Sequence, residues 1–165
     1  SGLYKGLSLR KGYYINGGTM QAGGLSYDWY IKNLCCDNPS YAEVEKQITS
    51  VSPGADGMLY MPYILGERAP YFDTGAKGAF LGLKATHTRA HMSRSVMEGV
   101  ALHLAIILNR MEKLDTVGSV RIVGGGAKSA AWRQILADVF QKSIIKILMI
   151  LMKKLYVTYI VRLRI

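Results

Sequence analysis

The sequence predicts an α/β fold. Three observations carry that expectation. Short β-prone runs alternate with longer helical segments, apolar residues recur every four positions between residues 89 and 114, and a β-prone run at 120–123 passes through three consecutive glycines into another helix.

Taken in order, Tyr13-Tyr14-Ile15-Asn16 is a short β-prone run closed by Gly17-Gly18. Met20 to Leu34 then reads as a helix, with Leu25, Trp29 and either Tyr30 or Ile31 as its buried positions. Asn38-Pro39-Ser40 breaks it, and Ser40 with Glu43 three residues later forms a capping-box pattern for a helix ending near Ser50. Pro53-Gly54-Ala55-Asp56-Gly57 is a strong turn signal. Met58 to Tyr63 reads as a strand, Gly66 to Lys77 as a long polar loop, and Gly78 to Leu83 as a second strand.

Thr88 stands where the cap of the longest helix is expected, Arg89 to about Leu114. Its stripe is Met92, Val96, Val100, Leu104 and Leu108. Val120 to Val123 is a strand, Gly124 to Ser129 the turn after it, and Ala130 to Phe140 a helix presenting Trp132, Ile135, Leu136 and Val139 inward.

Composition narrows the function classes. Half of the 165 residues are apolar, too many for a disordered chain, and the 18 glycines show no collagen-like period. The two cysteines, Cys35 and Cys36, are adjacent and make no disulfide framework; they read as packing residues. No Cys/His cluster has zinc spacing, and the first residues lack the apolar core of a signal peptide, so a cytoplasmic chain without a metal site is the expectation.

The net charge of +10 invites a nucleic-acid reading, but half of that excess lies in residues 144–165, which contain five bases and no acid. A uniform basic face is therefore not expected, and nucleic acid is not the expected partner. The expected division is a body, 1–143, and an atypical basic and apolar tail, 144–165. The longest uncharged apolar run in the tail, Ile147–Met152, falls far short of the ~20 residues that span a bilayer. A membrane-surface helix or a buried strand for part of the tail are secondary readings.

The strand–glycine–helix unit is the best local signal for chemistry. Glycines let backbone amides approach a ligand closely, and the N-terminus of the following helix favours negative charge, so phosphate or nucleotide binding is the physical expectation. The unit is not a P-loop, because no Gly-Lys-Ser/Thr closes it, and Ser129 stands where a dinucleotide fingerprint has its last glycine. A tight turn in a compact fold is the competing reading. Lys128 suits either a phosphate or water. Glu67 and Arg68, adjacent in the long loop, suit a structural charge pair better than catalysis. Arg94 and Glu98 have the spacing of a simple helix ion pair. His87 and His91 are four apart but lack a third ligand, and His103 lies within the long helix.

Four segments in a fixed order are more specific than any one of them. YMPYILGERAP (60–70), GAKGAFLGL (75–83), HMSRSVMEGVA (91–101) and VGGGAKSAAWRQILADVF (123–140) together resemble the C-terminal domain of the FGGY carbohydrate kinases. The stretch from Gly78 to Glu98 resembles that family's second signature, with Gly78, Phe80, Gly82 and Leu83, then His91, Met92, Ser95, Val96, Met97 and Glu98. The resemblance runs from about residue 8 to 143. Gly-Glu-Arg, Gly-Gly-Gly-Ala-Lys-Ser and Trp-Arg-Gln look most like the xylulokinase branch, ahead of gluconate and glycerol kinases.

The resemblance implies part of an actin-like, ribonuclease H-like ATPase domain. It also implies transfer of a phosphoryl group from ATP, with Mg²⁺, to the hydroxyl of a small sugar. It assigns Gly124, Gly125, Gly126, Ala127, Lys128 and Ser129 to the nucleotide, and Glu67, Arg68 and Asp73 to shaping the cleft. The N-terminal domain that carries much of the sugar site and the general base is expected upstream, so no catalytic residue is assigned here and the chain alone is expected to be inactive.

The tail departs from the family pattern, which continues through an acidic pair into a Gly-Ala-Ala helix. Read two bases later, the codons of Met152-Lys153-Lys154-Leu155 specify Glu, then Lys or Glu, then Ala or Thr when the leucine codon is CTN. A frameshift near residue 147 is the resulting expectation, and a nucleotide sequence in which no other frame continues the family pattern refutes it. The alternative class is a non-catalytic fragment that binds nucleotide, or that uses the tail on a membrane surface or on nucleic acid. A phosphate-backbone binder loses affinity steeply with salt, which separates it from a kinase domain.

Overall fold

A computed structural model describes residues 2–7, 14–37 and 39–147. Ten main elements follow one another: β1 (Tyr4–Leu7), β2 (Tyr14–Gly17), α1 (Gly23–Leu34), α2 (Tyr41–Thr49), β3 (Leu59–Met61), β4 (Ala79–Leu81), α3 (Arg89–Glu112), β5 (Ser119–Ile122), α4 (Ala130–Phe140) and β6 (Ser143–Lys146). The strands form three pairs. β1 and β2 are antiparallel, β3 and β4 are antiparallel, and β5 and β6 run parallel with Ser119 opposite Ser143 and Ile122 opposite Lys146. The parallel pair is joined through α4, as a parallel connection requires.

α3 is the axis of the molecule. α1, α2, α4 and β3 all pack on it, so it is buried on more than the one face that its stripe predicts. Val96, Val100, Leu104 and Leu108 are buried as expected, while Met92 is only partly covered; Met97, Ala101, Ile107 and Met111 are buried as well. Four polar side chains, Ser93, Arg94, Ser95 and His103, go into the core with them. A helix surrounded by neighbours does not show a clean amphipathic pattern, because several faces are apolar contacts.

Local chemistry sets the element ends. Ser40 caps α2 through the expected box: its Oγ accepts from Glu43 N, and Glu43 Oε2 accepts from Ser40 N at 2.7 Å. The turn at 54–57 is an unbroken run of left-handed residues, with φ of 88° at Gly54, 46° at Ala55, 52° at Asp56 and 85° at Gly57. Asp56 is held there by Lys84, whose Nζ reaches its Oδ1 at 3.1 Å and its backbone oxygen at 2.8 Å. That ion pair holds the Asp56 carboxyl below its ordinary range.

The structure corrects the sequence reading in four places. β1 is a strand that the sequence reading omits. α1 begins at Gly23 rather than Met20, and Leu25 is 45% exposed while Tyr30 and Ile31 take the core positions. Cys35 is buried but Cys36 is exposed. β6 runs across the expected boundary at 143: Ile144, Ile145 and Lys146 pair with Val120, Arg121 and Ile122. The remaining tail, 148–165, lies outside the described residues, as do its membrane and frameshift readings; of the strand reading for part of the tail, residues 144–146 form the end of β6, with Ile145 and Lys146 exposed rather than buried. Among the described residues no helix is long and apolar enough to cross a membrane.

Candidate functional site

The glycine turn sits at the carboxyl ends of the parallel pair, the position where open α/β sheets receive ligands. β5 ends at Ile122, and Gly124 follows with φ 86° and ψ −163°, a conformation essentially reserved for glycine. Gly125 to Lys128 make a single tight helical turn, closed by Ala127 N donating to Gly124 O at 3.3 Å. Ala127 is buried and anchors the turn, while Gly125 and Lys128 are exposed and Gly126 is half-buried. A side chain built on Gly125 would meet nothing within 4 Å, so open space lies over its backbone.

The start of α4 is arranged differently from the expectation. Ser129 caps it, with Oγ accepting from Trp132 N at 3.0 Å and donating to Glu45 Oε1 at 3.0 Å. Glu45 Oε1 also accepts from Ala131 N at 2.8 Å. Arg133 Nη1 folds back onto the carbonyls of Ala127 at 2.7 Å and Ser129 at 3.1 Å. The helix terminus predicted to face a phosphate therefore already holds a carboxylate. The Ser129 hydroxyl is committed to capping, because the orphan N–H groups of a first turn need acceptors. Glu45 is the residue that sequence reasoning missed. It lies on α2, more than eighty positions from its partners, and no local motif links the two.

α1 and α2 bring two tyrosines alongside. The rings of Tyr27 and Tyr41 lie 5.7 Å apart, and Tyr41 Oη donates to Asp28 Oδ1. That hydrogen bond pushes the Tyr41 hydroxyl up to about 12, with burial adding to it. Tyr27 is raised too, first by burial and then by the Glu45 charge, so both hydroxyls stay protonated at neutral pH.

The loop residues go elsewhere. Glu67 is buried; its Oε1 accepts from Gln21 N at 2.8 Å and Arg68 N at 2.6 Å, and its own N–H donates to Asp73 O at 2.8 Å. His103 from α3 lies over it, with Nε2 2.9 Å from Ala69 O and 3.2 Å from Glu67 Oε2. The shorter contact is the hydrogen bond; Oε2 has no aligned donor and stands beside the imidazole as a neighbouring charge. Arg68 and Asp73 are exposed, and Asp73 Oδ1 accepts from Gly75 N at 2.8 Å. Glu67 thus ties the loop to the β2–α1 connection and to α3, while the glycine turn is tied to α2.

The remaining candidates have structural partners. His87 and His91 stack at 5.1 Å, and each Nδ1 accepts a backbone N–H, from Lys84 and Thr88. Among the described residues no three His, Cys, Asp or Glu side chains are grouped to hold a metal. Arg94 and Glu98 form more than a surface pair, since Arg94 Nη1 also reaches the carbonyls of Ile48 and Val51.

Comparison with known proteins shows the family and the fold. The profile of the FGGY family of carbohydrate kinases, C-terminal domain, matches residues 2–148. The xylulose kinase of Bacillus subtilis (strain 168) is 38% identical over 137 residues, which is 82% of this chain and 27% of that protein. A gluconokinase of Bacillus licheniformis is 34% identical over 151 residues, 84% of this chain and 29% of its own length. The crystal structure of a ligand-bound xylulose kinase from Lactobacillus acidophilus superposes with a TM-score of 0.81 at 27% identity, over 88% of this chain and 29% of that one. The chain thus spans less than a third of the length of these relatives.

Proposed function

Because the chain belongs to the FGGY family of carbohydrate kinases and carries part of its actin-like ATPase fold, we propose that it forms the nucleotide-holding part of an ATP-dependent sugar kinase. The observation that supports this most is the turn at 124–128, which offers open glycine backbone and an exposed lysine at the carboxyl ends of β5 and β6. The proposed substrate is a ketose of the xylulose class. A sugar acid such as gluconate is the second reading, favoured by the 34% identity to a gluconokinase.

In this reading ATP supplies the phosphoryl group, and the residues of this chain contribute position and charge. The N–H groups of Gly125 and Gly126 face phosphate oxygens, Lys128 adds a positive charge, and buried Ala127 keeps the turn from moving as charge redistributes. Mg²⁺ is the usual companion of ATP in such a family, and it takes one or two carboxylates with substrate phosphates and water. Glu45, the carboxylate that touches the turn, has its Oε1 committed to Ser129 and Ala131. No described carboxylate is assigned to the ion, and no step is routed through it.

Transfer to a hydroxyl needs a general base within ~2.6–3.2 Å of that hydroxyl. Glu45 and Glu67 are both engaged internally. We assign the base, the sugar site and the second wall of the cleft to a domain outside the one matched here.

Three results are expected. The purified chain phosphorylates neither D-xylulose nor D-gluconate above background; turnover of either sugar refutes the assignment of the base to another domain. ADP shifts the backbone amide signals of Gly124–Lys128 ahead of others, with affinity no tighter than about millimolar, or roughly −4 kcal/mol. Lys128→Ala weakens that binding about tenfold, the order expected for losing one charged hydrogen bond. ADP-induced shifts centred on loop 66–73 instead contradict the reading.

A further inference from the structure

An anion binds at a helix N-terminus because several backbone N–H groups converge there with the positive end of the helix dipole. In this chain two of those groups are already served. Ala131 N donates to Glu45 Oε1, Trp132 N donates to Ser129 Oγ, and the Ser129 hydroxyl itself donates to Glu45. The carboxylate is delivered by a helix that cannot easily withdraw it. Val44 and Ile48, on either side of Glu45 in α2, are fully buried, and Arg94 holds the carbonyls of Ile48 and Val51 at the end of that helix.

The consequence is a division of the glycine–helix unit into two parts. The half formed by Gly125, Gly126 and Lys128 is open. The half formed by the first turn of α4 is closed by an internal negative charge. A second anion brought to the same N–H groups has to displace Glu45 or share its position, and like charges at that separation repel. The Glu45 field extends beyond the turn, since it contributes to the raised Tyr27 hydroxyl on α1.

We propose that Glu45 is a positioning residue for the nucleotide: its carboxylate fills the α4 N-terminus as a built-in anion and confines the phosphates of a bound nucleoside diphosphate to the Gly124–Gly126 amides and Lys128. This rests on the reading of the turn as the nucleotide-holding element. It adds a restriction that glycine-turn chemistry alone does not supply, because an uncapped helix terminus attracts phosphate.

The test titrates inorganic phosphate and ADP separately into the wild-type chain, Glu45→Ala and Glu45→Gln, following backbone amide signals at constant ionic strength. In the wild type, both ligands are expected to move Gly125 and Gly126 and to leave Ala131 and Trp132 in place. In Glu45→Ala, phosphate is expected to move Ala131 as well, with about two- to fivefold tighter binding, the scale of an anion at a helix terminus. Glu45→Gln keeps an acceptor for Ala131 N but removes the charge, and is expected to respond between the wild type and Glu45→Ala. A phosphate response at Ala131 in the wild type overturns the proposal, as does an Ala131 signal in folded Glu45→Ala that ignores phosphate. ADP that moves no amide of 124–129 in any variant removes the nucleotide reading instead, and the phosphate response of Ala131 still reports on Glu45 separately.

Discussion

Arg94→Ala is expected to destabilise the chain by roughly 3–5 kcal/mol, the scale of breaking a buried, hydrogen-bonded charge pair from one side. The i, i+4 spacing with Glu98 suggests a helix-surface pair worth only about 0.3–0.5 kcal/mol. The structure places the pair differently. The Arg94 and Glu98 side chains are 9% and 12% exposed, so water screens neither charge well. Arg94 Nε donates to Glu98 Oε1 at 2.7 Å, and Nη1 donates to Val51 O at 2.8 Å and Ile48 O at 3.1 Å. Glu98 Oε1 also accepts from Gly54 N at 3.0 Å. The Arg94–Glu98 pair therefore joins α3 to the end of α2, through Arg94, and to the start of the left-handed turn, through Glu98.

Truncating Arg94 leaves a carboxylate and two carbonyls short of a donor, and the cost of unpaired buried groups exceeds the net worth of the bonds. Urea unfolding reads the result as a lower midpoint with an unchanged slope. Arg94→Lys keeps the charge but not the fork, and is expected to recover only part of the loss. A change within about 0.5 kcal/mol for Arg94→Ala returns the pair to a surface role.

Gly99→Ala is expected to destabilise by roughly 1–3 kcal/mol, the range for forcing a methyl group into a packed site. Helix propensity predicts the reverse, since alanine is better than glycine in a helix interior by about 1 kcal/mol. Packing decides the sign. A Cβ on Gly99 would lie 2.1 Å from the backbone oxygen of Tyr60 and 2.9 Å from its carbonyl carbon, so α3 and β3 would have to separate. Tyr60 is itself buried, with its ring tilted against that of Phe80 at 4.9 Å, which leaves the strand little freedom to move. Gly24→Ala in α1 is the control: its new Cβ meets nothing within 4 Å, and stabilisation of up to about 1 kcal/mol is expected. Thermal unfolding of the two variants checks the pair; equal shifts in one direction contradict the packing argument.

Both predictions show where sequence information stops. The Arg94–Glu98 spacing is visible in one dimension, but the Ile48 and Val51 carbonyls reach Arg94 only because α2 lies across α3. Gly99, between Glu98 and Val100, gives no sign of the strand beneath it. Glu67 follows the same rule. The loop and its acid are legible, whereas the partners Gln21 and His103 come from two other elements. β1, which the sequence reading omits, and β6, which it leaves as one option for part of the tail, are short, and a four-residue strand is recognised by its partner more than by its composition.

What the sequence determined by itself is local or ordered along the chain. The capping box at Ser40, the 53–57 turn, the helices after Ser40, Thr88 and Ser129, and the glycine turn after β5 depend on nearby residues, and short-range sterics and hydrogen bonds suffice to place them. The four-segment motif order likewise identified the FGGY family before any fold was known. Only the tertiary structure decided which charges are buried, how α3 is enclosed, that residues 144–146 complete a parallel pair, and that the α4 terminus already holds Glu45. Each of these depends on groups far apart in the chain, and their energies are set by desolvation and contact distance, which do not exist until the chain has folded.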